Sequence, residues 1–394
     1  MIELANLLLV LLALLILMQV LLLFAQISAS KLCAPEPVSV TKCPRVAVVV
    51  PAHDESAVIG RAIGSIRAQL PPGGRLLVVA DNCTDNTASL AMTLGAEVVE
   101  RHDTAHVGKG YALDCGVRYL AQTDPPDVVA FVDADCVVSA GAFDRLARLS
   151  LASGSPVQSR NAVLLPPSAG SLERIAQFAF RVAAGLRPLG SRWLGLPCQL
   201  MGTGMAFPWS VISTVDLATG HLAEDKKLGI DLALAGKAPV FCCDAQVTSW
   251  SPVGRKAQQR QRLRWELGHL AMIREYVPRL LAGAVSRRSA SLAFLALDLS
   301  VPPLALFTLL LAAALCVGLA WLVATAHAML FVIASLSVVL FGCCITLAWW
   351  RAGRDIVSPR DLLAVPVYCA LKVPSFLVHF LGRRPLDWIR TERS

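Results

Sequence analysis

From Leu4 to Ile27 the chain is nearly unbroken Leu, Val, Ile, Ala and Phe, with Asn6, Gln19 and Gln26 as its strongly polar interruptions. As a helix this run would be roughly 36 Å long, enough to cross a bilayer with some tilt. A secretory leader is the rival reading. It is disfavoured because no basic segment precedes the run, which is also too long for a leader's apolar core. A second apolar block follows Arg287-Arg288. Ser291 to Val323 reads as one span broken by Pro302-Pro303. Ala328 to Trp350 reads as another and ends in two Trp residues of the kind found at membrane interfaces. Leu362 to Leu381 contains Pro366, Lys372, Pro374 and His379, so a re-entrant or interfacial segment is expected there.

The chain has 394 residues and is 55% hydrophobic, against roughly 45–50% for an ordinary globular domain. The excess lies at the two ends, which marks a multi-pass membrane protein with a soluble middle. Lys31, Lys42 and Arg45 follow the first span, Arg287 and Arg288 precede the second, and Arg351, Arg354 and Arg360 follow the third. By the positive-inside rule the middle is cytoplasmic and the N-terminus outside. Arg383, Arg384, Arg390 and Arg393 would lie outside if Leu362–Leu381 crossed. The net charge of +8 goes with anionic headgroups and a phosphate-bearing substrate. No nucleic acid is expected, since no basic stripe carries interleaved aromatics. The 12 Cys lack metal-type spacing and read as small buried hydrophobes. The expected divisions are 1–30, 44–254, 255–288, 289–350 and 351–394.

Between Arg45 and Arg160 strands and helices alternate with short links. Val46–Val50, Leu76–Ala80, Ala96–Glu100 and Val128–Val132 read as strands; Val58–Gln69, Thr87–Leu94, Tyr111–Ala121 and Gly141–Leu151 read as helices. That order predicts an α/β fold, a parallel sheet with helices on both faces. Such sheets bind ligands at the carboxyl ends of their strands. Three polar clusters fall there: Pro51-Ala52-His53-Asp54-Glu55, Asp81-Asn82-Cys83-Thr84-Asp85 and Asp133-Ala134-Asp135. If the backbone stays extended, Asp133 and Asp135 point the same way and suit a hard divalent cation, Mg²⁺ or Mn²⁺, that also holds a diphosphate. A solvated turn is the bland alternative. No GxGxxG follows the first strand, so a dinucleotide is not expected.

In order along the chain these motifs resemble those of the family 2 glycosyltransferases, inverting enzymes with the GT-A nucleotide-sugar-binding, Rossmann-like fold. The likeness runs from Val46 to Trp265. Pro51 to Glu55 resembles the opening P-x-x-x-E, and Asp81 to Asp85 the D-G-S-T-D turn, with Asn82 and Cys83 as departures. Gly108-Lys109-Gly110 resembles the G-K loop, Asp133-Ala134-Asp135 the D-x-D, and Gly202-Thr203-Gly204 the acceptor-side glycine loop. Glu224-Asp225 resembles the E-D segment. Gln261-Arg262-Leu263-Arg264-Trp265 matches Q-x-x-R-W. The spans, Asp133 to Cys136 and Trp388-Ile389-Arg390-Thr391 most resemble bacterial members of exopolysaccharide synthesis.

The resemblance implies a role for each residue. Pro51, Glu55, Asp81, Lys109, Asp133 and Arg264 would bind the nucleotide, and Asp133 and Asp135 the metal. Gly202, Thr203, Gly204, Glu224, Gln261 and Trp265 would face the sugar or acceptor, and Asp225 would be the general base. Lys109 would meet phosphate or fix its loop. Each has a structural alternative: Asp54 or Asp85 as a helix cap, Glu224-Asp225 as acids at a helix N-terminus, and Arg255 to Glu275 as an amphipathic helix on the membrane. The implied partners are a nucleotide-diphosphate sugar, UDP-linked by preference, a lipid or lipid-linked glycan as acceptor, and polysaccharide-assembly proteins. A processive synthase that exports its own polymer, a silent scaffold and a transporter are the alternatives. Asp298, the clear charge within the apolar block, has no assigned role.

Overall fold

The computed structural model describes residues 1–31, 43–252 and 254–380. Its soluble part is built on one mixed sheet of eight strands: β1 (Val46–Ala52), β2 (Arg75–Asp81), β3 (Glu97–Arg101), β4 (Val128–Phe131), β5 (Val137–Val138), β6 (Val157–Leu164), β7 (Met205–Pro208) and β8 (Val240–Trp250). They lie in the order β3-β2-β1-β4-β7-β6-β8-β5. β3, β2, β1 and β4 run parallel, as expected. β7 is antiparallel to both β4 and β6, so the second half departs from a purely parallel sheet.

Central strands buried on both faces carry continuous apolar runs, and β1 shows why. Val46, Val48 and Val50 pack on one face against Ile59, Ile63 and Ile66 of α2 (Ile59–Arg67) and Phe143 of α5 (Ala142–Ser153). Ala47 and Val49 pack on the other against Ala112, Leu113 and Val117 of α4 (Lys109–Gln122). α3 (Thr87–Thr93) links β2 to β3. Each of these elements lies within a few residues of its expected position.

Among the described residues three helices are long and apolar enough to cross a membrane: α1 (Ile2–Ala29), α12 (Leu304–Thr325) and α13 (Met329–Ala352). The polar interruptions of α1 all find partners, as buried polar groups must. Asn6 accepts from Trp321 at 3.1 Å, Gln19 donates to the Ser300 carbonyl at 2.9 Å, and Gln26 donates to Asp298 at 2.7 Å. Val20, Leu23 and Ile27 of α1 share a core with Phe307, Leu311, Cys344 and Ala348. Val182 and Leu186 join that core from a π-turn (Val182–Leu186) between α6 (Ser171–Arg181) and α7 (Arg187–Trp193). The soluble and apolar parts therefore share one packed interior.

Ser291–Val323 is not one span. Pro302 and Pro303 remove two donors and force Val301 out of the helical region, so the segment divides into α11 (Ala290–Ser300) and α12. α11 lies on α10 (Arg255–Arg287), burying Leu292, Leu295 and Leu299 against Met272, Tyr276 and Leu280. α10 runs beyond Glu275 and carries Pro278 inside it. The remaining helices are α8 (Trp209–Ile212), α9 (Glu224–Leu234) and α14 (Val365–Phe380), the last after a 3₁₀ turn at Asp361–Ala364. α14 is tied to α10 by a Lys372–Glu266 ion pair at 2.7 Å. Lys42, Leu381, the tail arginines Arg383, Arg384, Arg390 and Arg393, and Trp388 to Thr391 lie outside the described residues. Cys136, Cys198, Cys242, Cys344 and Cys369 are buried thiols, whereas Cys43, Cys316 and Cys343 are exposed and Cys243 is disulfide-bonded, all four departing from the expectation.

At Gly190 of α7 an added methyl would lie 1.8 Å from the Gln26 carbonyl oxygen of α1. Gly190→Ala is therefore expected to cost about 2 kcal/mol through overpacking. Gly342→Ala, where the same methyl meets open space, should leave the melting temperature in detergent unchanged.

Candidate active site

A cavity of about 520 Å³ opens at the carboxyl ends of β1, β2 and β4 and reaches the foot of α12. Asp133 and Asp135 lie on its wall, but not by strand alternation. β4 stops at Phe131, and a turn closes with the Cys136 amide donating to the Asp133 carbonyl at 3.1 Å. The turn gathers an oxygen of each carboxylate and the Cys136 sulfur within 4.8 Å of one another. Burial and the two carboxylates push the Cys136 thiol well above its ordinary pKa. The two carboxylates supply hard oxygen donors, which fit Mg²⁺ or Mn²⁺.

Lys109, at the start of α4, crosses to this turn. Its Nζ lies 2.5 Å from Asp133 Oδ1 and donates to the Gly202 carbonyl at 2.5 Å. Burial disfavours the ammonium, but Asp133, Glu224 and Asp225 outweigh that and raise its pKa. Gly202 has φ +82°, and a side chain there would approach both Asp225 Oδ2 and Lys109 Nζ. Glu224 and Asp225 open α9, facing the same cavity. Burial, then the charge of Asp225, pushes Glu224 up to about 7. Burial also raises Asp225, against the opposing charges of Lys226 and Lys109. The acids at this N-terminus thus do more than favour the helix dipole: one of them holds a proton near neutrality.

At the other end of the cavity are Pro51, Glu55 and Asp81. Asp81 is held by Arg101 at 2.6 Å, with side chains 9% and 13% exposed. Asp54 (φ +51°) accepts from the Thr84 and Asp85 amides, and Asp85 accepts from the Thr87 amide at the start of α3. Asp54 thus ties down the turn after β2 and caps no helix, and Asp85 bonds the first amide of α3, whose N-cap position is Asn86; both lie beside Glu55 and Asp81. Gln261, Arg264 and Trp265 reach the cavity from α10, and Trp265 packs on Phe180 at 5.5 Å between ring centres. Thr203 also lines it and accepts from the Asp133 amide at 3.1 Å. Gly204 does not. Its φ of +65° and its packing on Ser159, where a methyl would lie 1.9 Å from the hydroxyl, give it a backbone role.

A family model described as glycosyltransferase like family 2 matches residues 44–268, more than half of the chain. The chain belongs to that family. This glycosyltransferase is 39% identical over 101 residues to uncharacterised glycosyltransferases of Mycobacterium tuberculosis and Mycobacterium bovis. The match covers 26% of this chain and 41% of each of theirs, so it spans less than half the length of these relatives. Mannosyltransferase PcManGT from Pyrobaculum calidifontis, solved with GDP-Man and Mn²⁺, aligns over 94% of this chain and all of its own at TM-score 0.50 and 16% identity. The two share the GT-A fold.

Several groups lining the glycosyltransferase's cavity carry no sequence signal of a role. Lys226 and His269 meet at 2.8 Å, and Arg187 pairs with Asp298 at 2.8 Å. Gln199 also donates to Asp298, at 2.6 Å. Only Asp298 stood out beforehand, as a charge in an apolar block, and its partner lies 111 positions away. Arg101 was equally silent. Arg101→Met leaves Asp81 buried without its counter-charge, and unfolding should become easier by about 3 kcal/mol. Arg45→Met breaks an exposed pair with Asp124 and should cost less than about 1 kcal/mol. Denaturant melts of both variants in detergent test the contrast.

Proposed function

We propose that this glycosyltransferase moves a sugar from a nucleotide-diphosphate sugar, UDP-linked by preference, to a hydroxyl of a lipid or lipid-linked glycan, with inversion, at the cytoplasmic face of a bacterial inner membrane. The observation that carries the reading is one cavity in which Asp133, Asp135, Lys109, Asp225, Arg264 and Trp265 converge from four separate segments. A GT-A neighbour that binds GDP-Man and Mn²⁺ supports the donor class. The cavity's extension to Pro303, Leu304 and Ala305 at the foot of α12 supports an amphipathic acceptor. Polysaccharide-assembly proteins are the proposed partners.

Asp133 and Asp135 would hold Mg²⁺ or Mn²⁺, which when bound supplies positive charge to the diphosphate. Arg264 offers that diphosphate a planar fork of donors. Asp81 and Glu55 accept hydrogen bonds from base and ribose. Trp265 and Gln261 flank the sugar. Asp225 takes the proton of the acceptor hydroxyl as that oxygen bonds to the anomeric carbon. The bond from that carbon to the diphosphate oxygen breaks on the opposite side, and the nucleoside diphosphate leaves with the electron pair.

Asp225→Asn should lower transfer at least about 100-fold and leave UDP binding by calorimetry unchanged. Equal loss of both would remove the base assignment. Asp133→Ala should abolish Mn²⁺-dependent UDP binding, and unchanged binding at saturating Mn²⁺ would remove the metal assignment. The rate should rise with pH through neutrality. The base works only when ionised, and the Glu224–Asp225 pair gives up its last proton late, with Glu224 pushed up to about 7. Nucleoside diphosphate release from a panel of UDP- and GDP-sugars, with lipid extract as acceptor, reads the rates, and calorimetry reads the binding. No release from any donor would favour a scaffold.

A further inference from the structure

Lys226 directly follows Asp225 and faces the same cavity. Among the described residues its one hydrogen-bond partner is His269 of α10, with Nζ 2.8 Å from Nδ1. The opposite ring nitrogen, Nε2, lies 2.9 Å from the carbonyl of Val301. A carbonyl only accepts, so Nε2 carries the hydrogen and Nδ1 presents a lone pair. His269 is 9% exposed, and burial and the neighbouring Lys226 hold its pKa well below the ordinary value. The imidazole is therefore a neutral acceptor of fixed orientation. Val301 is itself fixed, at the break between α11 and α12 imposed by Pro302-Pro303.

We propose that Lys226 and His269 are positioning residues for the base, with His269 holding the Lys226 ammonium beside Asp225 so that its charge favours the ionised carboxylate. This rests on Asp225 being the base. A neutral holder matters because a carboxylate partner would cancel the field of the lysine, whereas imidazole leaves it directed at its neighbour. The charged and titratable groups around Lys226 are Asp225 on its own helix, His269 on α10, Arg187 on α7 and Asp298 on α11. Arg187 and Asp298 neutralise each other at 2.8 Å. Around Asp225 they are Glu224, Lys226, Lys109 and Asp133. Lys109 is already bonded to Asp133. Lys226 is thus the cation not committed to another acid, and although burial lowers its pKa to about 8, it stays charged at the lower pH of the acid limb.

The experiment uses the full chain in lipid vesicles. It follows nucleoside diphosphate release from whichever of UDP-glucose, UDP-GlcNAc and GDP-mannose the protein turns over. Removing a positive neighbour disfavours a carboxylate, so in Lys226→Met the acid limb of the pH–rate profile should move up by about one pH unit, with KM for the donor unchanged. Lys226→Arg should restore the limb. His269→Phe should shift it as Lys226→Met does, and His269→Asn, which keeps an acceptor near Nδ1, should not. An unmoved limb in both Lys226→Met and His269→Phe overturns the proposal. If one of the two does not fold, the other decides alone. A fully active Asp225→Asn would instead remove the base reading, a separate failure.

Discussion

Like charges repel, and that constraint governs the centre of this molecule. Asp133, Glu224 and Asp225 are brought into one cavity, where each carboxylate raises the cost of ionising the next. Lys109 makes the gathering tolerable. Its ammonium lies 2.5 Å from Asp133 and also feels Glu224 and Asp225. The same lysine holds the Gly202 carbonyl, which keeps the glycine loop folded over α9. One cation therefore both neutralises the acids and fixes the loop between them, the second of the two roles read for Lys109 from the sequence.

A second buried cluster ties that centre to the apolar helices. Arg187 and Asp298 form an ion pair with side chains 10% and 8% exposed, and Gln26 of α1 bonds to both. Ion pairs this deep contribute little net stability, because desolvation offsets the attraction, but their geometry is unforgiving. The cluster fixes α1, α7 and α11 relative to one another. α1 is thereby part of the scaffold of the cavity and more than an anchor, and the close approach at Gly190 follows from the same contact.

Much of the framework was legible. The strands β1, β2 and β4 are short apolar runs ending in polar clusters, and burial on both faces demands that pattern whatever lies around it. The long apolar runs of α1 and α13 were equally plain, because helix length against bilayer thickness is a local property. Ser291–Val323 misled for a local reason too: hydropathy averages across Pro302-Pro303, whereas backbone geometry does not. Asp133 and Asp135 do come together on the cavity wall, but a turn gathers them instead of an extended strand. Gly204 matched a motif, yet its conformation serves packing on Ser159 and not the cavity.

The sequence by itself determined the family, the alternation of strands and helices in the first half and the apolar helices, and every candidate site residue it marked except Gly204 lies on the cavity. All of these rest on short-range pattern: periodicity, hydropathy and motif spacing. Only the tertiary structure decided which charges meet. Lys109 and Gly202 are 93 positions apart, Lys226 and His269 43, and Gln26 and Asp298 272. A side chain's partner, and hence its protonation, depends on what burial brings against it. That is set by closure of the whole chain and leaves no trace in the residues on either side.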